Sequence, residues 1–148
     1  MKRIIFLTLI ALMAGSYAQA KDLKWLTWNE GYELAKKENK PMLVFVHATW
    51  CNMCKRLEEK TFNDESVAAE INEKFIPVKL NPEEKAEYLL NVEKVGMAKI
   101  LSTLTIDLSK GLAVPTTVLW KVDTKKANVF QGLLDPDEMK KALASKIR

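Results

Sequence analysis

Cys51 and Cys54 are the residues of this chain whose type and spacing best suit chemistry. Two residues, Asn52 and Met53, separate them, and the pair follows a continuous apolar run, Pro41-Met-Leu-Val-Phe-Val-His47. An apolar run of that length bounded by Lys40-Pro41 reads as a strand buried on both faces. A helix is expected to open at about Cys51 and run to Glu59. Unpaired backbone N–H groups and the helix dipole favour an anion at such a terminus. A thiolate at Cys51 would be stabilised there and kept reactive. Cys54 lies one turn further in, close enough to bridge and better sheltered. That geometry makes Cys51 the attacking sulfur, Cys54 the resolving one, and the pair a redox-active disulfide.

Three other readings compete. A purely structural bridge across two residues closes a very small loop and stabilises little. A metal site would have two thiolates and the chain's lone histidine, His47, where zinc usually takes four ligands. Covalent haem attachment needs His after the second cysteine, and position 55 is Lys. Redox exchange leads, and neither a metal nor another cofactor is expected.

The elements that must position the pair can be read from local signals. A short first strand is expected around Leu23–Leu26. Thr27 and Glu30 have capping-box spacing, with Trp28, Tyr32 and Ala35 on one face of the following helix. Thr61-Phe-Asn-Asp64 interrupts the pattern after the cysteine helix, and Asp64 caps a further helix through Phe75. Phe75–Leu80 is a strand whose Pro77 argues for an edge or a bulge. Residues 82–110 read as mostly helical, with apolar patches at Ala86, Leu89, Leu90 and at Met97, Ile100, Leu101, Leu104, broken near Gly96. Pro115–Val122 and Ala127–Gly132 form a hairpin. Asp135-Pro-x-Glu138 opens a last helix with Met139, Ala142, Leu143 and Ile147 on its buried stripe. Strands separated by helices imply one α/β domain with a central sheet covered on both faces.

The amino terminus has a separate logic. Met1-Lys2-Arg3, an apolar run from Ile4 to Ala14, and Ala18-Gln19-Ala20 together read as a secretory signal peptide over residues 1–20, leaving a domain over 21–148. Export places both cysteines in an oxidising compartment where disulfides persist. The 148 residues carry 48% hydrophobic and 28% charged side chains, which excludes a disordered chain and suits one domain. Removing the leader lowers Lys+Arg from 23 to 21 against 19 acids, so the remainder carries only +2. Basic residues are interleaved with acids, which argues against nucleic acid as a partner.

Trp50-Cys-Asn-Met-Cys-Lys55 after an apolar strand, with Val114-Pro-Thr116 some sixty residues on, resembles the thioredoxin fold. Lys60-Thr-Phe-Asn-Asp64 and Gly132 before the final helix extend the likeness to exported thioredoxin-like proteins and the carboxy-terminal periplasmic domain of the thiol:disulfide interchange protein DsbD. The resemblance implies a central mixed sheet flanked by helices, with a helical insertion before the cis-proline strand. It implies that Pro115 is a cis proline beside the site and that Val114 presents its backbone to an extended substrate segment. Protein disulfides would then be the substrates of a monomer working in the reductive direction, with a membrane thiol reductase as electron donor.

Two departures from thioredoxin itself stand out. Gly-Pro between the cysteines is replaced by Asn52-Met53, and the buried acid six residues before the first cysteine is Phe45. Glu58, four residues after Cys54 on the same helical face, is the candidate to accept a proton from Cys54 in that acid's place; the alternative is a solvated surface acid. Trp50, beside the nucleophile, offers a contact surface for substrate. His47 either adds positive charge near the thiolate or, the favoured reading, hydrogen-bonds within the core. Trp25, Trp28 and Trp120 are assigned to packing. The added segment 81–113 either restricts access to Cys51 or only covers the sheet. A non-catalytic binding module, holding an unfolded chain or a Cu(I) ion, is the competing class.

Overall fold

The computed structural model describes residues 22–148; the leader expected over residues 1–20 lies outside them. Capping sets the first helix, α1 (Trp28–Glu38): the Thr27 side chain accepts from Glu30 N, and Glu30 returns a carboxylate oxygen to Thr27 N at 3.0 Å. The helix stops at Asn39, which takes the left-handed conformation at φ 52°. Five consecutive buried residues then form β1 (Met42–Val46), as a strand covered on both faces requires. There follow α2 (Asn52–Leu57), a π-helical segment (Glu58–Phe62), α3 (Glu65–Lys74) and β2 (Ile76–Leu80). The chain continues through β3 (Tyr88–Leu90), β4 (Glu93–Val95), α4 (Met97–Thr103), β5 (Thr116–Lys121), β6 (Lys126–Gln131) and α5 (Pro136–Ala144).

The main sheet has the order β2-β1-β5-β6. β2 runs parallel to β1, whereas β5 and β6 are antiparallel, so the sheet is mixed. Alternation along β1 divides the core. Met42, Val44 and Val46 face one cluster with α1, α4 and the β3–β4 hairpin. Leu43 and Phe45 face the other, which contains Cys51, Cys54, Leu57, Phe62 and Met139.

Three local expectations differ from the structure. The strand expected at Leu23–Leu26 is a single bridge, Leu26 to Val78. Leu26 N donates to Pro77 O, and Lys79 N to Leu26 O. Extending this parallel ladder back to residue 24 needs an N–H on residue 77, and proline has none. Pro77 thus occupies the outer edge of the sheet and also ends its extension.

Residues 82–110 are helical only over α4, with Gly96 as its N-cap. Their first half is the β3–β4 hairpin, where Tyr88 and Leu90 are buried and Leu89 is half-buried. Side chains of α1 hold this hairpin: Trp28 Nε1 donates to Leu89 O at 2.8 Å, and Asn29 Oδ1 accepts from Leu89 N at 2.7 Å. The hairpin and α4 pack against the sheet face opposite the cysteines, so this part of the segment covers the sheet. Finally, α5 ends before Ile147 because the tail turns to Asn128, whose amide donates to Lys146 O and accepts from Arg148 N. Ile147 still packs against the core.

Candidate active site at the amino end of α2

Cys51 is the N-cap of α2, with extended backbone. Its N–H donates to Ala48 O, and its sulfur accepts from Cys54 N at 3.1 Å. A sulfur thus fills the place usually taken by a hydroxyl or carboxylate cap. The two cysteines are bridged, with Cα atoms 5.2 Å apart. Cys51 is 4% exposed and Cys54 1%.

Around the bridge the structure brings together residues remote in sequence. Val114 packs against the cluster that contains Cys51 and Cys54. The Val114–Pro115 peptide bond is cis, and Pro115 O accepts from Gly132 N at 2.8 Å. Trp50 is 65% exposed, and Met53 is exposed beside it. The Trp50 indole N–H donates to Glu83 Oε1 at 2.9 Å, which ties the rim to the loop after β2. A cleft of about 420 Å³ lined by Lys36, Lys40, Lys121 and Lys125 lies at the other end of β1 and does not reach the cysteines. The exposed Trp50 and Met53 form a rim at the cysteine end of the molecule.

Beneath the bridge, Phe45 is fully buried and packs edge-on to Phe62 at 5.1 Å. No acid stands at this position. Glu58 begins the π segment; its N–H donates to Cys54 O, and its carboxylate pairs with Lys79 Nζ. Both side chains are about 30% exposed, and Lys79 also sits over the Trp25 ring at 5.5 Å. Glu58 is therefore neither freely solvated nor buried.

His47 is half-buried, and its ring stacks on Phe45 at 5.3 Å. Burial and the Lys79 ammonium hold its pKa below the ordinary histidine value, with Glu58 and Glu84 acting in the opposite sense.

Sequence reasoning missed Lys79 and Glu83. The signal for Lys79 was a single charge within Ile76-Pro-Val-Lys-Leu80, an otherwise apolar strand. Glu83 carries no such mark.

A mixed sheet of this order, with a bridged Cys-x-x-Cys opening the helix after its central strand, defines a thioredoxin-fold protein with the site of the thiol:disulfide oxidoreductases. The chain belongs to the Thioredox_DsbH family, described as a protein of unknown function, DUF255, whose model matches residues 15–141. Spermatogenesis-associated protein 20 of Rattus norvegicus is 35% identical over 80 residues, covering 53% of this chain. The aligned part is only 10% of that relative's length. Among solved structures, a DsbH oxidoreductase superposes with a TM-score of 0.60 at 15% identity, over 88% of this chain and 89% of the other. The DsbD carboxy-terminal domain of Neisseria meningitidis in the oxidised form gives 0.54 at 15% identity, over 79% and 90%. At these identities the superpositions speak to the fold. Among the described residues no helix is long and apolar enough to cross a membrane.

Proposed function

We propose that this protein is an exported, periplasmic thiol:disulfide oxidoreductase that reduces disulfides in protein substrates. The observation that carries the reading is the bridged Cys51–Cys54 pair capping α2, in a cluster against which Val114 packs, with an exposed Trp50 next in sequence. In the reduced protein, the Cys51 thiolate attacks one sulfur of a substrate disulfide and the other substrate sulfur leaves as thiolate. Cys54 gives its proton to Glu58 and attacks Cys51 in the mixed disulfide. The second substrate sulfur leaves, and the Cys51–Cys54 bridge closes. Two electrons have then passed to the substrate, and a membrane thiol reductase must return them.

Trp50 supplies apolar contact at the rim, and Val114, ahead of the cis Pro115, presents its backbone to an extended substrate segment. The reductive direction draws on the likeness to DsbD, a thiol:disulfide interchange protein. The basic start and small-residue site in residues 1–20 support cleavage and export. The protein acts as a monomer, without metal or organic cofactor.

The test is the reduction potential of the pair, read by thiol trapping in graded thiol/disulfide buffers. A value near about −270 mV supports the reductase, and one near about −120 mV replaces it with an oxidant. A bridge that stays closed below roughly −300 mV is structural, and a non-catalytic binding module then takes the enzyme's place.

A further inference from the structure

His47 extends from β1 on the same side as Phe45, two residues away, and its ring lies against that phenyl group. Phe45 in turn packs in the cluster that holds both cysteines. The backbone binds His47 closely to the site: His47 N donates to Leu80 O, and the next residue, Ala48, accepts from Cys51 N. In the β1–β2 register Lys79 lies opposite Phe45, on the side of the sheet that carries the His47 ring, and it holds the Glu58 carboxylate of the π segment there. Lys79, Glu58 and, in the loop after β2, Glu84 are the charged groups that act on the imidazole. The cysteine sulfurs at the start of α2, in the cluster that Phe45 shares, carry no charge while bridged.

We propose that His47 is a positioning residue for the exchange reaction: its charge state biases the Lys79–Glu58 pair, and so protonation of His47 is coupled to reduction of the Cys51–Cys54 bridge. This rests on the reading of the pair as redox-active. Full reduction adds two electrons and two protons to the bridge. Where Cys51 remains a thiolate, one of those protons is not held by sulfur, and the new negative charge favours the imidazolium form of His47. Linkage makes the effect reciprocal, so protonated His47 favours the thiolate. Phe45 makes the arrangement possible, because its ring packs on one side in the cluster of the cysteines and on the other against the His47 imidazole.

His47 is the chain's one histidine, so its ring Cε1 proton is identified in a proton NMR spectrum of untagged protein without assignment. The experiment follows that resonance through a pH titration of the oxidised protein and of the protein reduced with dithiothreitol. The inference expects His47 to titrate at higher pH in the reduced form. It also expects Lys79→Met to raise the midpoint and Glu58→Gln to lower it in both forms. A midpoint that is the same in both redox states overturns the coupling, and so does one untouched by both substitutions. Potential against pH provides the second readout: wild type bends at the histidine titration, and His47→Asn removes that bend. If the bridge exchanges but His47 is blind to its state, only this inference fails. If the wild-type bridge does not exchange, the reading of the pair fails first.

Discussion

Replacing Glu58 with Gln separates two ways a carboxylate can serve this site, because they have opposite signs. The Glu58 N–H donates to Cys54 O, so the two residues are one turn apart, where Cβ atoms lie about 5–6 Å from each other. With the carboxylate about 30% exposed, an effective dielectric of about 40 is reasonable. At roughly 6.5 Å, its repulsion of a thiolate is then about 1.3 kcal/mol, and solvent screening lowers that toward about 0.5 kcal/mol. Removing the charge should raise the thiolate fraction about two- to tenfold at pH values below the thiol titration. Removing the proton acceptor should slow closure of the mixed disulfide by about tenfold or more, at the low end of general-base effects because the group is partly solvated. The first quantity is read from iodoacetamide alkylation of the reduced protein across pH. The second is read by stopped flow, from release of a chromogenic thiol disulfide-linked to Cys51. Faster alkylation with slower closure supports the dual role. Closure that is unchanged or faster in Glu58→Gln refutes Glu58 as the proton acceptor, and an unmoved alkylation profile refutes its proximity to the thiols.

Further outcomes follow from the same geometry. Cys54→Ala should accumulate covalent mixed disulfides through Cys51 when incubated with oxidised protein substrates; non-reducing electrophoresis that shows no adducts would argue for a binding module. Gly31→Ala would bring a Cβ within 2.1 Å of Val78 Cγ2, a buried side chain of β2. Overpacking of about 1–3 kcal/mol should outweigh the roughly 1 kcal/mol gained in helix propensity, so denaturant unfolding should show a net loss of about 1 kcal/mol. A more stable variant would mean that α1 does not approach β2 this closely.

Asp64 caps α3, and hydrogen bonds from the Ser66 side chain and the Val67 N–H hold its carboxyl below the ordinary aspartate pKa. Its contribution to stability is therefore complete above the unfolded-state value and is lost as pH falls through the depressed one. Asp64→Asn should flatten this part of the acid limb in urea midpoints measured from pH 5 to 2. An unchanged limb would remove the carboxylate from the cap.

What was legible in the sequence was local. Both capping boxes, Thr27–Glu30 and Asp135–Glu138, join residues three apart and form as their spacing dictates. β1 follows from five consecutive apolar residues between turn signals, and its burial on both faces leaves Cys51 at the start of the next helix. The cysteine pair could be placed because strand, turn and helix are contiguous in the chain.

The β3–β4 hairpin was misread as helix because its backbone partners lie on α1, about sixty residues earlier, where Trp28, Asn29 and Tyr32 supply hydrogen bonds that no local pattern encodes. Long-range packing likewise gave Glu58 its cation and Trp50 its anchor, from Lys79 and Glu83, 21 and 33 residues away. The type and spacing of Cys51 and Cys54 determined, by themselves, that disulfide chemistry was available. Only the tertiary structure decided which charge Glu58 meets, because Phe45 occupies the expected acid position and the register of β2 against β1 sets Lys79 opposite it.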